Sequence, residues 1–134
     1  MKKSVFLLWL GLAVLLLGGC RLIRIEEEPR TEVKYQIVEE EKIPKALQTL
    51  IEEKKEREFR MTYQDGTVLY LVKGYGCQMS GGYSISVEEL SRSSNGVFFK
   101  TQLIGPRQSD QLGVPSYPYI VVKMEYCRDP VNFL

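Results

Sequence analysis

Residues 59–72 read Phe-Arg-Met-Thr-Tyr-Gln-Asp-Gly-Thr-Val-Leu-Tyr-Leu-Val, and this stretch decides the fold class. Its first part alternates apolar and polar residues, which is the period of a half-buried strand. Asp65-Gly66 is a strong hairpin signal, because this dipeptide accepts the positive φ of a tight turn. The nearly continuous apolar run at residues 68–72 is typical of a central strand. The sequence therefore predicts a hairpin inside a β-sheet.

Further strands are predicted on both sides of this hairpin. Residues 33–37 alternate, and their charged neighbours indicate a strand at a sheet edge. Residues 83–88 alternate cleanly, and residues 97–104 follow a Ser-Ser-Asn-Gly turn signal. The final strand, residues 118–126, has four apolar or aromatic side chains on one face: Ile120, Val122, Met124 and Tyr126.

One amphipathic helix is predicted over residues 44–57. Pro44 suits a first helical turn, and Leu47, Leu50 and Ile51 form an apolar stripe. A helix followed by antiparallel strands predicts an α+β fold, with the helix packed on a small, mainly antiparallel twisted sheet or partial barrel.

The N-terminus has the pattern of an export signal. Lys2 and Lys3 precede an apolar run at residues 5–17, which is short for a membrane-spanning helix, and the run ends in Leu-Gly-Gly-Cys20. This ending resembles the lipobox of bacterial lipoproteins. It implies a signal peptide at 1–19, a palmitate-bearing lipid anchor on Cys20 and an extracytoplasmic place on the cell membrane. An uncleaved anchor helix and an ordinary signal peptide are the alternatives.

The predicted mature chain consists of a short tether and one domain. Residues 20–30 are the lipidated tether, and residues 31–134 form a single domain. Cleavage removes two of the 18 basic residues and none of the 17 acidic ones, which leaves a net charge of −1. This balance gives no case for nucleic acid as a partner, and contact with the membrane is expected only through the lipid.

Two further cysteines, Cys77 and Cys127, remain after lipidation of Cys20. Export would place them where disulfides persist, and a bridge would close a loop of about 50 residues and contribute roughly 3–4 kcal/mol. The sequence does not show whether their Cα atoms lie close enough. A Cys77–Cys127 bridge and two free thiols both remain open.

The chain contains no histidine. This excludes Ser-His-Asp and Cys-His catalysis as well as histidine-based metal sites. No phosphate-binding loop or dinucleotide fingerprint is present, so no cofactor is expected. Carboxylate chemistry is the remaining enzymatic option, but the acidic runs at residues 26–28 and 39–41 have the pattern of solvated segments. We expect a protein with no catalytic residue and no metal.

Two segments stand out as candidate partner-binding sites. Residues 73–83 contain four glycines, more than a simple connection needs, which indicates positive φ or close backbone approach. Residues 117–119 read Tyr-Pro-Tyr at the start of the last strand. Each segment has a structural reading, as a bulged connection or as core, beside the binding one. The candidate residues are Gly76, Ser80, Gly81, Gly82, Tyr83, Tyr117, Pro118 and Tyr119.

Together these segments resemble the C-terminal domain of the protease complex subunit PrcB family. The shared pattern is an apolar strand ending in glycine at 69–76, Ser-Gly-Gly-Tyr at 80–83, a strand at 97–103, Gly-Pro at 105–106 and Tyr-Pro-Tyr-Ile-Val-Val at 117–122. It covers about residues 68–125. The chain departs from the family in having Ser80 in place of threonine and Cys-Gln-Met at 77–79.

The resemblance implies a non-catalytic accessory or docking protein whose partner is exported, with an exported protease as the candidate partner. A second, weaker resemblance is to chagasin-type protease inhibitors, which also present a Gly-Tyr loop from a β-domain. The alternative function is therefore protease inhibition through the loop at residues 74–83.

Overall fold

The computed structural model describes residues 29–107 and 113–134. The predicted signal peptide, the predicted lipid-attachment residue Cys20 and most of the predicted tether lie outside the described residues. Within these ranges, no helix has the length and apolar character needed to cross a membrane.

The described residues form eight strands, one α-helix and one short 3-10 helix. The strands are β1 (Thr31–Glu32), β2 (Gln36–Ile37), β3 (Glu58–Asp65), β4 (Val68–Tyr75), β5 (Ser84–Ser93), β6 (Gly96–Ile104), β7 (Tyr119–Glu125) and β8 (Val131–Phe133). The 3-10 helix is Glu40–Lys42, and α1 is Lys45–Lys54.

The strands make two four-stranded sheets. The first sheet has the order β1-β5-β6-β8 and the second the order β2-β7-β4-β3. All pairs are antiparallel except β6 and β8, which are parallel. The principal core lies between the sheets, where apolar side chains of both interdigitate. It contains Leu69, Leu71, Ile120, Val122 and Met124 from the second sheet and Leu90, Val97 and Phe99 from the first.

The predicted α+β fold is wrong. The described chain is mostly β, and the two sheets, rather than one helix and one sheet, enclose the principal core. The helix is real but has only ten residues. The error arose because the strands were assigned to one sheet. Which strands share a sheet is set by pairing between distant residues, and periodicity along the chain carries no such information.

The continuous apolar run of β4 is explained by burial on both of its faces. Leu69 and Leu71 point into the core between the sheets. Tyr70 and Val72 alternate with them and point to the other face of the sheet, where they join a second cluster beneath α1. The other buried members of this cluster are Ile43, Leu47, Ile51 and Val121. β4 pairs with β3 on one side and with β7 on the other. The prediction of a central strand is confirmed.

The β3–β4 hairpin is also confirmed, with Gly66 at φ 59°. Residues 33–37 are not one strand, because the chain crosses there from β1 in the first sheet to β2 in the second. The helix ends at Lys54 rather than at residue 57. Tyr126 lies beyond β7 and is 38% exposed, so it is not a core residue. β8 was not predicted, since three residues are too few to show a period.

Candidate functional site

The structure brings the two predicted segments together at one end of the sandwich. We call this the loop end and define it as residues 76–83 and 113–118. The backbone N–H of Gln78 donates to the carbonyl of Ser116 at 2.8 Å, and the Ser116 N–H donates back to Gln78 at 2.9 Å. The Ser116 hydroxyl donates to the carbonyl of Ser80 at 2.6 Å. Residues nearly 40 positions apart in sequence therefore form one surface.

A rigid base lies beneath the loop end, where β4 finishes. The N–H of Tyr75 donates to the carbonyl of Pro118 at 3.0 Å. The hydroxyls of Tyr75 and Thr101 share a hydrogen bond of 2.5 Å that joins the second sheet to the first. The Gln78 side-chain amide donates to the Tyr75 carbonyl at 3.0 Å. These bonds connect both loops to the ends of strands in both sheets.

An ion pair lies next to this base. Lys73 Nζ is 2.6 Å from a carboxylate oxygen of Glu58 and 5.1 Å from the ring centroid of Tyr75. The hydrogen bond from Lys73, followed by its charge, lowers the pKa of Glu58 from its ordinary value. Because Glu58 is largely exposed, water screens this pair, and it serves mainly to orient the end of β3.

The glycines of the loop end differ in what their backbone requires. Gly76 is buried and has φ 74°, and a Cβ there would lie 3.0 Å from the backbone nitrogen of Glu58. Gly82 has φ 82°, which also favours glycine. A Cβ on Gly81 would meet no heavy atom within 4 Å. Gly76 is thus required by the fold, whereas Gly81 leaves open space at the surface.

The three aromatic candidates are partly buried. Tyr119 packs against the cluster beneath α1, and burial, followed by the charges of Glu40 and Glu52, raises its pKa. Lys55 Nζ lies 5.2 Å from the ring centroid of Tyr117, within the range of a cation–π contact. Tyr83 immediately precedes β5 and is also half-buried. These rings are mainly structural, although Tyr117 and Tyr119 line a hollow of about 320 Å³ beside β2.

Exposed apolar residues at the loop end were missed as candidates. Met79 is 80% exposed and Val114 is 63% exposed. Because Gln78 and Ser116 are paired, their neighbours Met79 and Pro115 lie side by side, and Pro115 is exposed as well. Met79, Val114 and Pro115 are thus exposed apolar residues on two segments that pair with each other, and we call this group the apolar tip. A large apolar residue inside a glycine-rich polar loop was the available signal.

The disulfide considered from the sequence is not formed. Cys77 is a free, exposed thiol and Cys127 is a free, partly buried one. Cys77 follows β4 at the loop end. Cys127 lies at the opposite end of the second sheet, because the residue before it, Tyr126, donates its N–H to the carbonyl of Thr67 just ahead of β4. Eight residues of β4 separate these ends, or about 25 Å at 3.3 Å per residue. A disulfide needs Cα atoms within about 7 Å.

In a comparison with known families, the chain matches the PrcB C-terminal domain. The family model matches residues 69–125. This confirms the resemblance predicted from the sequence. The matched stretch begins in β4, ends with β7 and includes both segments of the loop end, so it spans the part of the fold in which the candidate residues lie. No curated protein and no solved structure matches the chain.

Proposed function

We propose that this chain is a non-catalytic lipoprotein, attached through lipid on Cys20 to the extracytoplasmic face of the cell membrane. Its role is to bind an exported protein, in particular a component of a protease complex, through the loop end. The PrcB C-terminal match supports a protease complex as the setting. The absence of histidine from the chain supports a role without catalysis.

The observation that carries the binding role is the apolar tip. Its backbone is joined by the Gln78–Ser116 hydrogen bonds, so ordering it costs little on binding. Met79 and Val114 nevertheless remain mostly exposed. Exposed apolar side chains on loops whose backbone is held by hydrogen bonds are typical of a protein-binding site.

The point at which the chain enters the domain supports the same role. β1 pairs Thr31 with Arg92, next to the β5–β6 hairpin. Arg30 is held there by Glu89 at 2.9 Å and lies 3.9 Å from the ring centroid of Phe98. The loop end lies at the other end of β5, about 30 Å away at 3.3 Å per residue. A lipid tether entering at Arg30 leaves the loop end directed away from the membrane.

Site-specific photocrosslinking in cells tests the binding role. A photoreactive residue at Met79 is expected to capture an exported protein, identified by mass spectrometry. The matched control is Tyr35, which is 38% exposed and lies beside Thr67 and Glu125, at the end of the second sheet opposite the loop end. Capture of the same proteins from both positions, or from neither, would contradict the proposal. Met79→Asp should reduce recovery of the partner, and Tyr35→Asp should not.

Two further assays separate the remaining components of the proposal. Incorporation of labelled palmitate should occur in the wild type and be abolished by Cys20→Ser, and equal labelling of both would refute lipidation at Cys20. The purified protein should not inhibit a panel of cysteine and serine proteases. Stoichiometric inhibition that is lost in Met79→Asp would instead establish the inhibitor alternative.

A further inference from the structure

The outer edge of β3 is available for pairing. β3 is an eight-residue strand at the margin of the second sheet, and within residues 29–107 and 113–134 it pairs only with β4. The other three marginal strands, β1, β2 and β8, have only two or three residues. Among the described residues, β3 is therefore the one marginal strand that is longer than three residues, and its outer edge is free along its whole length.

The backbone groups that face outward from β3 can be identified from bonds on the other side of β4. Tyr75 donates its N–H to Pro118, and Tyr126 donates to the carbonyl of Thr67. Odd-numbered residues of β4 therefore point their backbone groups toward β7, and even-numbered ones point toward β3. Their partners in β3 are the odd-numbered residues. The unpaired N–H and C=O groups at the free edge belong to Glu58, Arg60, Thr62 and Gln64.

An open cleft lies alongside these groups. The side chains of Arg60, Thr62 and Gln64 share the face of Leu69 and Leu71, which is the face turned toward the first sheet. They are nevertheless exposed, because the first sheet ends in the short strand β8 and does not cover β3. The resulting cleft has a volume of about 740 Å³, and its opposite wall is the segment from Tyr126 to Leu134.

The cleft carries excess positive charge. Arg60 and Arg128 both line it. The acidic residue in the same wall, Asp129, is already bonded to Arg92 at 2.7 Å. Glu58 at the start of β3 is paired with Lys73. An incoming side chain that enters the cleft beside Arg60 would therefore be favoured if it were acidic.

The other face of β3 has the opposite character. Phe59, Met61 and Tyr63 are half-buried against the cluster beneath α1. A strand added to β3 would place its alternate residues next to these three side chains, because residues opposite one another in a sheet share a face. Apolar residues are favoured at those positions.

We propose that the edge of β3 accepts an extended segment of another protein as an added strand. The segment alternates acidic residues, which enter the cleft beside Arg60, with apolar residues, which extend the face of Met61. Main-chain hydrogen bonds to Glu58, Arg60, Thr62 and Gln64 hold it, and the alternation gives the specificity. Arg60 on an edge strand also disfavours neutral and basic strands, so the same residue selects the partner. This surface is separate from the apolar tip.

A binding assay with defined peptides tests the proposal on the full-length protein in mild detergent. The probe is a fluorescein-labelled eight-residue peptide of alternating Glu and Val, and the comparison peptide has Lys in place of each Glu. Fluorescence anisotropy should show saturable binding of the Glu peptide below about 1 mM and at least about tenfold weaker binding of the Lys peptide. Absence of binding, or equal binding of the two peptides, would overturn the proposal.

Hydrogen exchange locates the contact. The amides of Arg60, Thr62 and Gln64 should gain protection on addition of the Glu peptide. The amides of Met61 and Tyr63, which already bond to β4, should be unchanged. Protection confined to α1 or to the loop end would place the peptide elsewhere and refute strand addition. Protection of the β3 edge without peptide, together with a dimeric mass in sedimentation, would show that a second copy occupies it and would also refute the proposal.

Two variants complete the test. Arg60→Glu should weaken binding of the Glu peptide by about tenfold or more, while the matched charge reversal Lys45→Glu on the exposed side of α1 should not. Thr62→Pro removes only an outward N–H, so it should abolish binding while the circular dichroism spectrum stays that of the wild type. If Thr62→Pro perturbs the fold, the affinity of Arg60→Glu for the Glu peptide alone tests the proposal. Wild-type affinity in Arg60→Glu would refute the charge-based selection.

Discussion

The sharpest prediction concerns Gly76 and Gly81, two glycines of the same loop with different backbone surroundings. Gly76→Ala would put a side chain on a residue with φ 74°, which costs roughly 1–2 kcal/mol. The new Cβ would also lie 3.0 Å from the nitrogen of Glu58 and 3.2 Å from the carbonyl carbon of Arg57. Both are backbone atoms and cannot rotate away, so the loop must move.

The loop movement has a second cost. The next residue, Cys77, donates its N–H to the carbonyl of Glu56 at 3.2 Å, and displacing Gly76 weakens this bond. A backbone hydrogen bond contributes about 0.5–1.5 kcal/mol. The expected loss for Gly76→Ala is therefore about 2–3 kcal/mol in the free energy of unfolding, or a fall in Tm of roughly 8–20 °C for a domain of this size.

Gly81→Ala is the matched control. Its φ does not lie in the left-handed region, and its Cβ would enter open space. The change should be neutral or stabilise the protein by up to about 1 kcal/mol, because alanine restricts the unfolded chain. Urea unfolding of both variants, followed by circular dichroism, gives the comparison. A Gly76→Ala variant within about 0.5 kcal/mol of the wild type, or a Gly81→Ala variant that is the less stable of the two, would refute the backbone reasoning.

Three further predictions follow from single contacts. Tyr75→Phe and Thr101→Val each remove the hydrogen bond between the two hydroxyls and should each lower the free energy of unfolding by about 1 kcal/mol. A double-mutant cycle from urea unfolding should show that the two losses are coupled, and additive losses would contradict the hydrogen bond. The hydrogen bond from Lys73 and its charge lower the pKa of Glu58 in the folded state, so this pairing contributes stability above the ordinary value of 4.5 and the contribution is lost as pH falls through the folded-state pKa. The difference in urea midpoint between wild type and Glu58→Gln should therefore be present near neutral pH and shrink as the pH falls below 4.5, and a difference that does not depend on pH would contradict the pairing. Cys77 should react rapidly with a maleimide under native conditions, because its thiol is exposed and free; slow labelling that speeds up after reduction would contradict this.

The elements of the fold were more predictable than their arrangement. The strand period at residues 59–63 and the Asp-Gly turn were sufficient to place β3 and β4, since both signals are local. The alternation of apolar and polar residues at 33–37 predicted one strand, which was wrong. The chain passes there from the first sheet to the second, and the alternation does not reveal this crossing. Assignment of β5 and β6 to a separate sheet depends on packing between residues far apart in sequence, such as Leu71 and Phe99 in one core, and no local pattern contains this information.

The candidate site was predicted in part. The glycine-rich connection and the Tyr-Pro-Tyr segment were recognised separately, and the structure joins them through Gln78 and Ser116, neither of which had been singled out as a candidate. The residues that remain available to a partner, Met79 and Val114, follow from exposure rather than from any motif. Gly76 and Tyr119, which belong to the motifs recognised in the sequence, mainly stabilise the fold. A backbone with positive φ and a partly buried ring accept fewer residue types than an exposed contact position does.

The two proposed surfaces are compatible with a single partner. β3 begins at the loop end, where Gly76 approaches the nitrogen of Glu58, and finishes at the opposite end, where Asp65 enters its hairpin. A partner that contacts Met79 could therefore continue along β3 as an added strand, toward the end of the domain at which Arg30 enters. Occupation of both surfaces by one chain multiplies their separate affinities through effective concentration. The combination of Arg60→Glu with Met79→Asp should then weaken partner capture by much more than either change alone, whereas independent partners would be lost one at a time.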